Sequence, residues 1–134
     1  MINILIDKNI DYKRLKELLK NSKIDSNIFG VNIETPNKNI VERPALAVLG
    51  ITKLPMRLAS KDSVDVFEKI KEIIGDENLG DSIITEEAVF HNYYYFLTED
   101  SDILNKRDIV MRSYPKIKIL KLVEFEKEMH QQKG

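Results

Sequence analysis

The sequence predicts an α/β fold: a central, mainly parallel sheet with helices on both faces, in three layers. Three observations predict it. Short apolar runs alternate with longer segments whose apolar residues recur every three or four positions. Their order reads strand, helix, strand, three helices, strand, helix, strand, helix, the alternation that crossover connections between parallel strands produce. The length, 134 residues, suits one domain and suffices for a core without staples.

Each element has its own signal. Ile2-Asn3-Ile4-Leu5-Ile6 is an apolar run that stops at a charge, Asp7, and predicts a buried strand. Asp7-Lys8-Asn9 turns the chain. Tyr12, Leu15, Leu18 and Leu19 then fall on one helical face, with Asp11 as the N-cap. Residues 28–33 have strand composition, and Thr35-Pro36 follows as a cap and first helical residue. Ile40, Val41, Ala45, Leu46, Val48 and Leu49 suggest a helix ended by Gly50, with Pro44 as an expected kink. Residues 51–59 read as a loop containing Pro55.

Val64, Phe67, Ile70, Ile73 and Ile74 predict an amphipathic helix over 60–74, capped by Gly75. Residues 76–80 are a polar loop, and Asp81 opens the next helix, with Ile83, Ile84, Ala88 and Val89 turned inward. Residues 93–98 are strand-like, Asp100 or Ser101 caps a short helix, and 117–120 form a last strand. A final helix spans 123–132, its end expected to fray. No internal repeat or low-complexity tract interrupts the chain, so residues 1–134 read as a single domain.

Composition narrows the functional classes. Formal net charge is −1, so there is no global basic field of the kind that marks many nucleic-acid binders. Cysteine is absent, which excludes thiolate metal sites and disulfides and is compatible with a reducing cytosol. No apolar run approaches the ~20 residues of a membrane span, and the opening MINILIDKN is too short for a signal peptide, so the expected location is cytoplasmic.

The acids carry the functional argument. Asp7 follows the first strand, and Asp100 and Asp102 follow the strand at 93–98. In open parallel sheets, ligands bind beyond the carboxyl ends of the strands where strand order reverses. Asp81 and Glu42 are expected on helices whose early turns can face the same edge. Carboxylates gathered in one cleft raise one another's pKa unless a cation compensates. An all-oxygen set suits Mg²⁺ or Mn²⁺ rather than Zn²⁺. Such an ion activates water and stabilises charge on a phosphate under in-line attack. The chemistry expected is phosphodiester hydrolysis. Most of the 22 acids are nonetheless ordinary solvated surface.

Nearly the whole chain resembles the PIN-domain family. Leu5-Ile6-Asp7-Lys8-Asn9-Ile10 looks like that family's first motif, an apolar strand followed by Asp, a hydroxyl residue and Asn. Thr35-Pro36 with Ile40-Val41-Glu42 looks like the second, Gly80-Asp81-Ser82-Ile83-Ile84 like the third. Phe96-Leu97-Thr98-Glu99-Asp100-Ser101-Asp102 is similar to the fourth, and Ile117 to Leu120 with Glu124-Phe125 resemble the closing strand and helix. Lys8 departs from the pattern, standing where the family carries Thr or Ser, and Glu34 is an alternative to Glu42.

The resemblance implies a PIN-like α/β/α sandwich and a Mg²⁺- or Mn²⁺-dependent endoribonuclease. It also implies a homodimer and, as for many small prokaryotic members, a toxin neutralised by an antitoxin. Carried over residue by residue, Asp7, Glu42, Asp81 and Asp100 are the acidic quartet. Asp7, Asp81, Asp100 and Asp102 are the metal ligands. Asn9 orients Asp7 or a bound water, and Thr98 hydrogen-bonds a carboxylate or phosphate. The alternative is a PIN-like module that binds RNA or protein without cutting.

Other motifs have structural readings. Tyr93-Tyr94-Tyr95-Phe96 invites base stacking, but core packing is favoured, with two of the four rings inward. The basic run Lys106, Arg107, Arg112, Lys116, Lys118 and Lys121 reads as a solvated face before an RNA track. His91 and His130 lack metal-ligand spacing. A haloacid-dehalogenase-like phosphatase would need Asp where Asn9 stands, and a phosphoacceptor receiver domain would need an acid before Asp7.

Overall fold

A computed structural model of the chain describes residues 2–31, 41–43, 45–46, 56–57, 61–91 and 93–133. Strand β1 (Ile2–Ile6) leads to helix α1 (Tyr12–Asn21), where the Asp11 side chain accepts the Arg14 N–H at 3.1 Å. Leu15, Leu18 and Leu19 form its buried face. Strands β2 (Ser26–Val31) and β3 (Val41–Arg43) follow, then β4 (Ala45–Leu46) and β5 (Met56–Arg57). Helix α2 (Lys61–Ile74) ends at Gly75, whose φ of +119° is a backbone conformation that side-chain-bearing residues rarely adopt. Helix α3 (Leu79–Phe90) leads to β6 (Tyr95–Leu97), α4 (Ser101–Leu104), α5 (Arg107–Ser113), β7 (Lys118–Leu120) and α6 (Leu122–Lys133).

The main sheet has the order β3-β2-β1-β6-β7, and all four pairings are parallel. The chain builds outward from β1 through β2 to β3, then returns to lay β6 and β7 on the other side. The topological switch therefore lies between β1 and β6, whose register matches Ile4 with Tyr95 and Ile6 with Leu97. β4 and β5 form a separate parallel pair.

Strand periodicity sorts the core into two layers. Leu5, Phe96 and Ile119 face one side, packed with Phe67 and Ile70 of α2, Ile83 and Ile84 of α3, Ile103 of α4 and Val110 of α5. Ile4, Ile6, Tyr95 and Leu97 face the other, under α1 and under Leu122, Phe125 and Met129 of α6. The expected α/β/α layering is present.

Several expectations need correction. The helix expected over 40–49 is absent where the backbone is described. Residues 41–43 and 45–46 are strands. Pro44 lies between them, and the residue before a proline is pushed toward extended backbone. Within the expected loop, residues 56–57 are a strand. Thr35-Pro36 and residues 32–33, 40, 47–55 and 58–59 lie outside the described residues. Helix α3 begins at Leu79, so Asp81 sits in its first turn rather than opening it. α5 was not expected. Its charged run hides the apolar position that anchors it, Val110, fully buried. α6 continues to Lys133.

The aromatic run buries three rings rather than two: Tyr93, Tyr95 and Phe96 are buried, while Tyr94 is 52% exposed. A strand inside a sheet covered on both faces buries both of its alternating sets. Two of the six basic residues carry structural pairs. Arg107 forks onto both Glu124 carboxylate oxygens at 2.6 and 2.9 Å, and Lys118 pairs with Glu128. The Arg107 fork holds the Glu124 carboxyl down at about 2. Among the described residues no helix is long and apolar enough to cross a membrane.

Candidate metal centre

The acids that follow β1 and β6 meet at the switch point. Asp7 extends β1 by one step, its N–H donating to the Leu97 carbonyl at 2.9 Å. It is buried, with 8% of the residue exposed. Asp7 Oδ1 accepts the Lys8 N–H at 2.8 Å, and Oδ2 accepts the Thr98 hydroxyl at 2.8 Å. The Thr98 oxygen in turn accepts the Asp100 N–H at 3.0 Å. Asp100 caps α4, accepting the Asp102 N–H at 2.9 Å. One relay thus runs from the end of β1 through Thr98 to the two acids beyond β6.

Asp81 arrives from the first turn of α3. Among the described residues, Asp81, Asp100 and Asp102 form the one group whose ligand oxygens all lie within 4.8 Å of one another. Asp81 and Asp100 are partly buried and Asp102 is exposed, so the group opens to solvent on one side. Asp7 lies behind it and reaches it electrostatically: the Asp7 charge acts on Asp81, and Asp100 acts on Asp7.

Crowding shows in the proton affinities. Burial first, then the Asp100 charge and a hydrogen bond with Asp100, push the Asp81 carboxyl up to about 7, with Asp7 and Asp102 adding repulsion. Burial raises Asp7 as well, against the hydrogen bonds from Thr98 and Lys8. The charge of Lys8, an exposed residue, acts on Asp7 in the opposite sense.

A pH dependence follows. Between about pH 4 and 7 the folded chain keeps a proton on Asp81 that the unfolded chain has released, so metal-free stability falls as pH rises through that window. A carboxyl moved from 3.8 to about 7 represents at most ~4 kcal/mol at ~1.4 kcal/mol per pKa unit. Solvent on the open side screens the repulsion, leaving about 2 kcal/mol. Thermal melts in EDTA are expected to show a lower midpoint at pH 8 than at pH 5, and Mn²⁺ is expected to reverse the loss at pH 8. A midpoint indifferent to both would mean that the acids are not crowded.

The other site candidates fall as follows. Thr98 bonds a carboxylate, Asp7, as expected. Asn9 does something different from orienting Asp7: its amide oxygen accepts the Glu99 N–H at 3.1 Å, tying the loop after β1 to the loop after β6. Glu42 stands on β3, paired with Gly30, and not on a helix. β3 lies two strands from β1, roughly 10 Å away at the usual strand spacing. Glu34 lies outside the described residues. The sequence reading missed Glu99, whose side chain accepts the Leu122 N–H at 3.1 Å and pins the start of α6 to the loop beside the acids. No local signal marks a pair 23 residues apart.

The donor set fits a hard divalent cation. It is all carboxylate oxygen, gathered within 4.8 Å, and exposed Asp102 leaves one side open to solvent. Protein-family models, curated proteins and solved structures offer no match to this chain, so its assignment rests on its own residues.

Proposed function

We propose that the chain is a divalent-metal-dependent endoribonuclease of PIN type, hydrolysing RNA phosphodiester bonds at the carboxyl edge of the sheet. The observation that carries this reading is the convergence of Asp81, Asp100 and Asp102 within 4.8 Å at the switch point, with Asp7 directly behind. Asp81, Asp100 and Asp102 would hold Mg²⁺ or Mn²⁺, which when bound polarises a phosphoryl oxygen and eases deprotonation of the attacking water. Asp7 does not need to touch the ion. Through Thr98 it fixes the backbone that presents Asp100, and its negative charge deepens the local potential for a cation. Lys8, exposed next to Asp7 in the chain, would offer an ammonium to a substrate phosphate.

Labelled RNA incubated with the protein and Mn²⁺ is expected to be cut internally, and EDTA is expected to stop the reaction. Binding without cleavage at every metal concentration would instead favour the non-cutting, PIN-like RNA- or protein-binding module, a reading to which the ammonium of Lys8 beside Asp7 lends weight. An antitoxin partner, a homodimer and a cytoplasmic location belong to the same proposal. Light scattering of the purified chain tests the dimer.

A further inference from the structure

The opposite edge of the sheet carries a different kind of surface. Tyr94 sits just before β6 and is 52% exposed, yet its backbone is fixed on both sides. Its N–H donates to the Asn3 carbonyl at 3.0 Å, and its own carbonyl accepts the Lys118 N–H at 3.1 Å. Its ring packs at 61° to Tyr95, centroids 4.8 Å apart. The ring is therefore a presented platform on a rigid base. A cavity of about 590 Å³ opens beside it. A second cavity of about 330 Å³ continues past Tyr93, Pro115 and Lys116, which line both, and reaches Phe90, 36% exposed at the end of α3. The result is a two-lobed groove with an exposed aromatic ring in each lobe and the exposed ammonium of Lys116 between them.

Its charge is complementary to phosphate. Lys116 carries that charge, Lys118 lines the groove with its ammonium paired to Glu128, and Lys69 of α2 lies over the Tyr114 ring of the second lobe at 5.5 Å. Two acids on neighbouring helices are engaged: Glu128 with Lys118, and the buried Glu87 with the Tyr93 hydroxyl at 2.7 Å. Flat aromatic faces flanking a cation are what single-stranded nucleic acid uses, because every base has a face to stack and every linkage carries a charge.

We propose that this groove binds single-stranded RNA, with bases stacked on Tyr94 and Phe90 and the intervening phosphate on Lys116. The choice of RNA rests on the proposed function; the stacking and the charge do not. The groove lies a full strand length from the acidic centre, so it holds RNA outside the bond that is cut and adds affinity without chemistry.

Fluorescence anisotropy of a labelled oligouridylate, measured with the full chain in EDTA, reads this site apart from cleavage. Binding is expected to weaken with salt. Tyr94→Ala is expected to weaken it roughly five- to 150-fold, the loss of one base stack. Lys116→Glu is expected to weaken it and flatten the salt dependence by about one phosphate contact. Both positions are exposed, and unchanged melting midpoints verify the fold. Affinity unchanged in both variants would overturn the proposal. So would a wild-type dimer that the same variants dissociate, which would assign the groove to a second copy of the chain. Failure of the nuclease reading looks different: the oligonucleotide binds through the groove but is not cut with Mn²⁺.

Discussion

Replacing Asp100 with Asn is expected to lower Mn²⁺-dependent RNA cleavage by at least ~10²-fold, toward the ~10³-fold that loss of one well-placed electrostatic group costs. The substitution is a sharp probe because Asn is as good an N-cap as Asp, so α4 retains its start. What is lost is a charge and one hard oxygen from the group formed with Asp81 and Asp102. The metal-free protein is expected to melt higher, since after burial the Asp100 charge does most to hold the Asp81 carboxyl up at about 7.

Asp7→Asn is expected to behave differently. The sequence alone suggests that both substitutions relieve repulsion and both stabilise the metal-free chain. The geometry separates them. Both Asp7 oxygens accept hydrogen bonds, from the Lys8 N–H and the Thr98 hydroxyl. An Asn amide keeps its oxygen for the Lys8 N–H and donates to the Thr98 oxygen only if that hydroxyl turns its own proton away, leaving a buried donor without its acceptor, at a cost of about 1–3 kcal/mol. Asp7→Asn should therefore melt lower than wild type while Asp100→Asn melts higher. The two variants shifting together would argue against the Asp7–Thr98–Asp100 relay, and full cleavage by Asp100→Asn would remove the acidic centre from the mechanism.

The largest loss of stability is expected from Phe125→Ala. Phe125 is fully buried on α6. Its ring meets Tyr95 edge-on, centroids 4.9 Å apart and planes at 78°. Truncation removes the ring and leaves a void between α6 and the sheet, a loss of about 3–5 kcal/mol. Against a total of about 5–15 kcal/mol for a domain, that is a large share. Phe125→Leu refills much of the volume and is expected to lose less than half as much. Denaturant midpoints check both, with the slope unchanged. A near-neutral Phe125→Ala would mean that α6 is not clamped to this face. Because Glu99 joins the start of α6 to the loop carrying Asp100, cleavage should also fall in Phe125→Ala below its melting midpoint.

What could be read from the amino acids was whatever is local or periodic. The run Ile2 to Ile6, the helical face of Leu15, Leu18 and Leu19, the Asp11 cap and the Gly75 stop each depend on neighbours a few residues away, and each is where it was expected. The acids at strand ends were legible for the same reason: a parallel sheet brings its carboxyl ends to one edge, so topology places Asp7 and Asp100 together once the strands are identified.

Tertiary structure alone decided the rest. The apolar spacing from Ile40 to Leu49 suits a helix, but pairing beside β2 made residues 41–43 a strand and pairing with β5 made 45–46 another. Whether an acid belongs to the converging group or stands behind it depends on partners some 90 residues distant, as with Asp7 and Thr98. The exposure of Tyr94 beside three buried rings depends on where β6 begins within a sheet covered on both faces. Periodicity records which way a side chain points along its own element. It carries no record of what stands opposite, and hydrogen bonds, repulsion and burial are all set by what stands opposite.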